Sequence, residues 1–157
     1  MLSIFENRNT IQKAFADYII EAEIKNKRNQ IITSVAEEFY ENYDKDSCPI
    51  VILQKGPFSQ LKFEVDQFSF MYPASFDLQL IVIDYSLRNL KDADETVEQI
   101  LSDCLEAIET GLNNDVQALQ LLRNVEIQSI QYGPSEVESD IYFSDIRAVL
   151  SCSLKSF

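Results

Sequence analysis

Alternating apolar and polar side chains predict the strands of this chain. From Phe76 to Val82 every second residue is apolar, which is the period of a strand with one buried face. From Ile81 onward the other face is apolar too, so the far end of this strand is expected to be covered on both sides. The same two-residue period returns between Ile146 and Leu154. Both segments are therefore predicted to be strands.

A long amphipathic helix is predicted between these two strands, over 92–112. Its apolar residues recur at steps of three and four and so share one stripe. They are Ala93, Val97, Ile100, Leu101, Cys104, Leu105, Ile108 and Leu112. Asp92 is placed to cap the helix, Glu95 can reach back to the cap, and Gly111 and Asn113-Asn114 are end signals. The helix would be roughly 30 Å long, enough to lie across a small sheet.

The N-terminal region, residues 1–46, has a helical pattern. One apolar stripe runs from Ile11 to Ala22, and a second runs from Ile31 to Tyr43. The basic stretch between the stripes can form a turn, or one helix can run through it, because Lys and Arg favour helices. One long helix or two helices are therefore predicted here.

Two further strands are predicted ahead of the central one. An apolar run at 48–53 is typical of a short strand, which Gly56-Pro57 would end. In residues 60–72 the apolar phase shifts by one residue after Gln67, as at a bulge or a tight turn. We expect 60–72 and 76–87 to be antiparallel neighbours.

The chain after the long helix is predicted to form a short helix and a hairpin. Residues 115–122 suit a short helix, and residues 124–132 suit a strand. That strand is expected to place Val125 and Ile127 on one face and Ile130 and Tyr132 partly on the other. An acidic loop at 133–140 leads into the final strand, so the last two strands are expected to pair.

The order of elements predicts the fold class. Helices come first, then strands, one crossing helix and two more strands. This order indicates an α+β fold, mainly an antiparallel sheet with a long crossing helix on one face and additional N-terminal helices. A length of 157 residues favours a single domain. Within it we expect a helical region at 1–46 and the sheet with its central helix at 48–157.

The net charge of −13 argues against a nucleic-acid-binding surface, which needs Lys and Arg to replace counterions. The charge is concentrated, because eight acids and no base lie between Asp92 and Asp115. Such a helix face serves solubility, or it lies near DNA without binding it. The candidates for this acidic face are Glu95, Glu98, Asp103 and Glu106.

Reaction chemistry has little support in the sequence. There is no histidine, and Cys48, Cys104 and Cys152 are too far apart for a predicted zinc site. Cys104 and Cys152 lie on apolar faces of their elements, so we expect these two to be buried thiols. There is no glycine-rich phosphate loop and no activated serine. We therefore predict no catalytic, metal or cofactor site and no enzyme. No apolar run is long enough to span a membrane, and Met1–Glu6 lacks signal-peptide features, so a cytoplasmic protein is expected.

An aromatic cluster and the acidic loop are the candidate subunit interfaces. Aromatic residues crowd around the phase shift, and they form either a second core layer under the N-terminal helices or an interface, where aromatics are enriched. The candidates are Phe63, Phe68, Phe70 and Tyr72 from the cluster and Val137 and Tyr142 from around the loop. Open strand edges of the sheet are a second reason to expect pairing with another subunit.

Residues 76–157 contain a strand and polar turn, the Asp92–Glu95 helix start, a long helix ending at Gly111-Leu112, a strand containing Val125-Glu126-Ile127, a loop and the last strand. In this order of elements the C-terminal half resembles the tail terminator (tail completion) proteins of long-tailed bacteriophages. The resemblance implies a structural virion protein of the tail or neck, assembled in the host cytoplasm, whose homohexameric ring caps the tail tube and joins it to the head. Its partners would be the tail tube protein and neck or connector proteins.

An alternative interpretation is a small acidic cytoplasmic adaptor, immunity or regulatory module. The acidic surface would then match a basic protein partner. In neither interpretation do we expect specific nucleic-acid binding or a membrane.

Overall fold

The computed structural model describes residues 4–39, 42–63 and 71–155, with the backbone alone at 60–63, 71–74 and 119. It contains three helices and five strands in these ranges. They are α1 (Ile4–Glu21), β1 (Ile50–Phe63), β2 (Met71–Ser86), α2 (Leu90–Asn114), α3 (Val116–Leu121), β3 (Leu122–Tyr132), β4 (Glu136–Glu138) and β5 (Ile141–Leu154). The α+β class, with an antiparallel sheet and a long helix across it, is confirmed.

All strand pairs of the sheet are antiparallel, and the strand order is β1-β2-β5-β3. The short strand β4 pairs with the beginning of β5, so β3 and β4 lie along the same side of β5. Ser139 and Asp140 both have a positive φ and form the two-residue turn between β4 and β5. The pairing predicted for the last two strands is confirmed.

The main core lies between the sheet and the two long helices. Alternate residues of β2 and β5 face α1 and α2, as the two-residue period predicts. The apolar side chains that α2 buries all lie on the predicted stripe and are Ala93, Val97, Ile100, Leu101, Cys104 and Ile108. Leu105 and Leu112 are half-buried and pack against this core from its margin.

The other face of the sheet is covered at one end by the irregular segment between α1 and β1. Ile81 and Ile83 are fully buried there, so the predicted coverage of both faces is confirmed. They belong to a smaller cluster with Phe143, and Phe39 and Tyr43 pack against it from the irregular segment.

A buried ion pair fixes the start of this irregular segment. Asp84 is fully buried at the end of β2. Its carboxylate accepts hydrogen bonds from Arg28 Nη2 at 2.6 Å and from Asn26 Nδ2 at 3.1 Å. The Arg28 guanidinium also lies 3.8 Å from the centre of the Tyr85 ring. A buried carboxylate requires such partners, because an unpaired buried charge is very costly.

The second N-terminal helix predicted between Ile31 and Tyr43 is wrong. Residues 24–39 form loops and isolated bridges instead, and Ala36 pairs with Ile52 beside β1. Asn29 has a positive φ, and the Asn26 side chain accepts from the backbone N–H groups of Arg28 and Gln30. Such local hydrogen bonds compete with helix formation. The helical prediction for 1–46 therefore holds for α1 alone.

The long helix begins two residues before and ends two residues after the predicted bounds of 92–112. Asn89, rather than Asp92, is the N-cap, and its side chain accepts from the backbone N–H of Asp92. The Asp92 carboxylate instead accepts from Ser86 Oγ at 2.6 Å and from Lys27 Nζ at 3.0 Å. Gly111 does not end the helix, which continues to Asn114, so of the two predicted end signals the one at Asn113-Asn114 is confirmed. It allows close approach of α1, because a Cβ at Gly111 would overlap the Tyr18 ring.

The strands before the long helix are longer than predicted. Gly56-Pro57 does not end β1, because it lies in a bulge where the register shifts between Lys55 and Phe58. Pro73 lies within β2. The expected pairing of 60–72 with 76–87 is also wrong, since β2 from Phe76 to Ile83 pairs with Ile50–Phe58. The phase shift after Gln67 lies outside the described residues.

Candidate functional site

The strongest candidate for an interaction surface is the apolar stripe of β3. Val125, Ile127, Ile130 and Tyr132 pair with Cys152, Leu150, Ala148 and Ile146 of β5. Directly opposed residues share a face of the sheet, and all four partners belong to the core on the helix side. The four β3 residues therefore face the same side as α2.

The helix does not cover this stripe. α2 packs over β2 and β5, and β3 lies beyond its flank. Ile127 and Ile130 are each 50% exposed and Tyr132 is 52% exposed. An exposed row of apolar residues with a common orientation marks an interaction site more often than scattered single residues do.

The backbone of β3 is open along the same line. β3 pairs with β5 on one side, and within the described residues no strand pairs with its other side. An open edge strand is a template for pairing with another chain. The apolar stripe and the open edge thus coincide on one strand.

Sequence reasoning missed this stripe because of a bulge. The alternation predicts Ile130 and Tyr132 partly on the face opposite Val125 and Ile127, but the register shifts by one residue between Ile127 and Ser129. The extra residue reverses the alternation, which brings all four side chains to one face. The one available signal was the spacing of three between Ile127 and Ile130 inside a two-residue period.

Two polar contacts tie the flank of α2 to the sheet beside the stripe. The Tyr132 hydroxyl donates a hydrogen bond to the Glu98 carboxylate, and Ser144 Oγ donates to Asp94 at 2.6 Å. The hydrogen bond to Glu98, with some desolvation, raises the pKa of Tyr132 to about 12. Tyr132 therefore stays protonated as a donor near neutral pH.

The predicted acidic face of α2 is present in part. Glu95, Glu98 and Glu106 are exposed, whereas Asp103 is half-buried on the flank of the helix. Desolvation and the neighbouring Glu106 raise the pKa of Asp103. Glu95 lies 3.6 Å from Lys27, and Glu98 accepts from Tyr132. Glu95 and Glu98, two of the four predicted carboxylates, therefore have partners.

Asp103 belongs to a second surface, an open groove of about 1040 Å³ between α2 and the end of α1 with the segment after it. Five acids contribute to its lining, and Lys25 is the base among the lining residues. The acids are Glu21, Glu23, Asp103, Glu106 and Asp115. The Tyr18 hydroxyl closes one end by donating to Asp115 at 2.6 Å. The groove is suited to a cationic side chain.

The predicted interface residues have different outcomes. Val137 is 62% exposed on β4 and lies directly opposite Tyr142 of β5, so the structure brings these two together. Phe63 of β1 pairs with Met71 of β2, and Tyr72 of β2 pairs with Lys62 of β1. The structure describes the backbone alone at these positions. Phe68 and Phe70 lie outside the described residues.

The three cysteines are buried free thiols. Burial raises the pKa of each thiol to about 12, so these sulfurs are poor nucleophiles near neutral pH. Across the described ranges, no group of three His, Cys, Asp or Glu side chains is arranged to hold a metal ion. In the same ranges no helix combines the length and the apolar character needed to cross a membrane.

No protein-family model matches this chain, and no curated protein sequence matches it either.

Proposed function

We propose that this chain is a structural virion protein of a long-tailed bacteriophage. It acts as a tail terminator or an adjacent neck connector, assembles into a homohexameric ring, caps the tail tube and joins it to the head. Its partners are further copies of itself, the tail tube protein and neck proteins. The chain performs no reaction in this role.

The open β3 edge is the observation that carries the proposal. A row of half-exposed apolar side chains on the core side of a sheet is a surface that a second copy can cover. The element order also supports the proposal. A helix, a strand pair, a long crossing helix and a second group of strands follow one another, and the order from β2 onward is the one on which the resemblance to tail terminator proteins rests.

The charge distribution supports a position around DNA. Between Asp92 and Asp115 there are eight acids and no base, and Glu95, Glu98 and Glu106 of this stretch are exposed. A ring through which DNA passes needs a lumen that repels phosphate, so that DNA moves without binding. We assign the exposed acidic face of α2 to this lumen.

Light scattering coupled to size exclusion tests the ring. Six copies of an 18.1 kDa chain have a mass of about 109 kDa, and we expect this species together with rings in electron micrographs. A virion assembled without the protein should have tails of irregular length. A chain that remains an 18.1 kDa monomer at high concentration would contradict the proposal.

The acidic groove favours a second candidate function, binding of a basic protein by a small adaptor or immunity module. Five carboxylates line the groove beside one lysine, which suits a Lys or Arg side chain of a partner. A one-to-one complex with one basic protein would support this function. The discriminating variant is Asp103→Lys with Glu106→Lys, which should abolish that complex but leave a homomeric ring intact.

A further inference from the structure

The sheet has two edges that differ in chemistry. One edge is β3, followed by β4, and it carries the exposed apolar stripe. The other edge is β1. Part of its outer backbone is already bonded to Ala36. The Ala36 N–H donates to the Val51 carbonyl, and the Ala36 carbonyl accepts from the Leu53 N–H. From Lys55 to Phe63, no described residue pairs with the outer side of β1.

The two edges also differ in charge. The stretch 47–63, which includes all of β1, contains no acid and two lysines, Lys55 and Lys62, in a chain of net charge −13. Along the opposite edge, β3 and β4 carry three glutamates and one arginine: Glu126, Glu136, Glu138 and Arg123. Opposite charges on two edges favour their association, whereas two β3 edges would repel each other.

We propose that the free part of the β1 edge in one copy pairs with the β3 edge of the next copy and so extends the sheet from subunit to subunit. This inference rests on the proposed function, because it takes the occupant of the stripe to be a second copy of this chain. The contact covers the stripe at Ile127, Ile130 and Tyr132 and brings the basic β1 edge against the acidic edge formed by β3 and β4.

Pairing of unlike edges has a geometric consequence. Each subunit uses a different surface on each side, so the contact is heterologous, and repeated contacts close into a ring when the rotation permits. An isologous β3–β3 dimer would stop at two subunits. Pro57 is compatible with this assignment, because proline in a sheet is confined to edge strands and bulges.

Two variants test the pairing, one with a blocked β3 edge and one with a blocked β1 edge. Ile127→Lys with Ile130→Lys places charges on the stripe, and Lys55→Glu with Lys62→Glu reverses the charge of the β1 edge. Matched controls are Val116→Lys, at a position 70% exposed on α3, and Lys45→Glu with Lys91→Glu on exposed positions elsewhere. Light scattering gives the mass of each protein, and circular dichroism verifies its fold.

Each blocked variant should be monomeric alone, while the controls assemble like the parent chain. An equimolar mixture of the two blocked variants should give dimers of twice 18.1 kDa and nothing larger, because the mixture retains one good β1 edge and one good β3 edge. Blocked variants that still form the parent assembly, or a mixture that stays monomeric, would overturn the edge pairing.

A charge exchange provides a second measurement that does not touch the apolar stripe. Glu126→Lys with Glu138→Lys should weaken association by about tenfold or more. Adding Lys55→Glu and Lys62→Glu to the same chain should restore it. If the parent chain forms rings but the fourfold variant still associates weakly, the edge pairing is refuted and the proposed function is not. A monomeric parent chain would refute the proposed function itself.

Discussion

Replacing Gly111 by alanine should destabilise the protein, although helix propensity favours the opposite. Gly111 lies inside α2, where alanine is better than glycine by about 1 kcal/mol. A Cβ at this position would lie 2.6 Å from Cδ2 of Tyr18 and closer still to Cγ. The ring has little room to move, because its hydroxyl is bonded to Asp115 at 2.6 Å and Phe15 packs beside it.

The steric term decides the sign of the effect. Overpacking a well-filled contact costs about 1–3 kcal/mol, and separating α1 from α2 also loosens a core that includes Phe15 and Ile108. Because three atoms of the ring lie within 2.6 Å of the added Cβ, the cost belongs to the upper part of this range, about 2–3 kcal/mol. After subtraction of the propensity gain of about 1 kcal/mol, we expect a net loss of roughly 1–2 kcal/mol. In a Tyr18→Ala background the ring is gone, so the same substitution should stabilise by about 0.5–1 kcal/mol.

Urea unfolding gives the free energy of unfolding of the parent chain, of both single variants and of the double variant, which together form a double-mutant cycle. The expected coupling free energy is about 1.5–3 kcal/mol, the difference between the loss in the parent chain and the gain in the Tyr18→Ala background, and it is well above the error of such cycles. The cost of losing the Tyr18 hydrogen bond cancels, because both proteins that carry Tyr18→Ala, with and without Gly111→Ala, have lost this bond. A Gly111→Ala change that has the same effect in both backgrounds would refute the close approach of α1 and α2 at this position.

Four further outcomes follow from the same contacts. Ile108→Ala should lose about 2–5 kcal/mol in urea unfolding, whereas Val116→Ala, at an exposed position, should lose under about 0.5 kcal/mol; equal losses would show that the buried face of α2 is misassigned. Arg28→Met leaves Asp84 buried without its cation and should cost about 3–5 kcal/mol, against less than about 1 kcal/mol for Lys13→Met in the exposed pair with Asp17. Hydrogen bonds from Ser86 and Lys27 lower the pKa of Asp92 in the folded protein. The contribution of Asp92 to stability is therefore complete above the pKa of the unfolded chain, about 3.9, and is lost as the pH falls through the folded pKa. Asp92→Asn should reduce the loss of unfolding free energy at acid pH, and an unchanged slope of the stability–pH curve would contradict this role. Reversal of Glu98, Asp103 and Glu106 to lysine should leave folding nearly intact and increase retention on immobilised DNA in low salt; unaltered retention would remove the support for an acidic lumen.

Long, regular patterns were sufficient to predict the α+β class and the buried stripe of α2. The steps of three and four from Ala93 to Ile108 and the alternation in β2 and β5 correspond directly to burial. The prediction was wrong where a short pattern competed with tertiary contacts. The stripe from Ile31 to Phe39 suits a helix, but Ala36 bonds to the backbone of β1, and Arg28 is drawn to Asp84.

The ends of elements and the candidate site depended on features with little sequence signal. Asp92 is a good capping residue, yet Asn89 is the cap, because the Asp92 carboxylate accepts from Ser86 at the end of β2 and from Lys27, which is remote from the helix in sequence. The stripe of β3 depends on a bulge whose position alternation does not reveal. The acidic groove depends on where the segment after α1 lies against α2.

The exposure of β3 follows from the dimensions of helices and strands. Four strands about 4.8 Å apart span about 14 Å between their outer axes, whereas one helix with its side chains is about 10 Å wide. α2 therefore covers the middle strands, and α1 takes the β1 side, where Gln12 bonds to the Leu53 carbonyl. Within the described ranges neither long helix extends over β3, and the short helix α3 ends where this strand begins. A neighbouring copy that supplies the missing cover would stabilise the folded subunit by mass action, so the thermal midpoint should rise with protein concentration. A midpoint independent of concentration would mean that the stripe remains exposed to water.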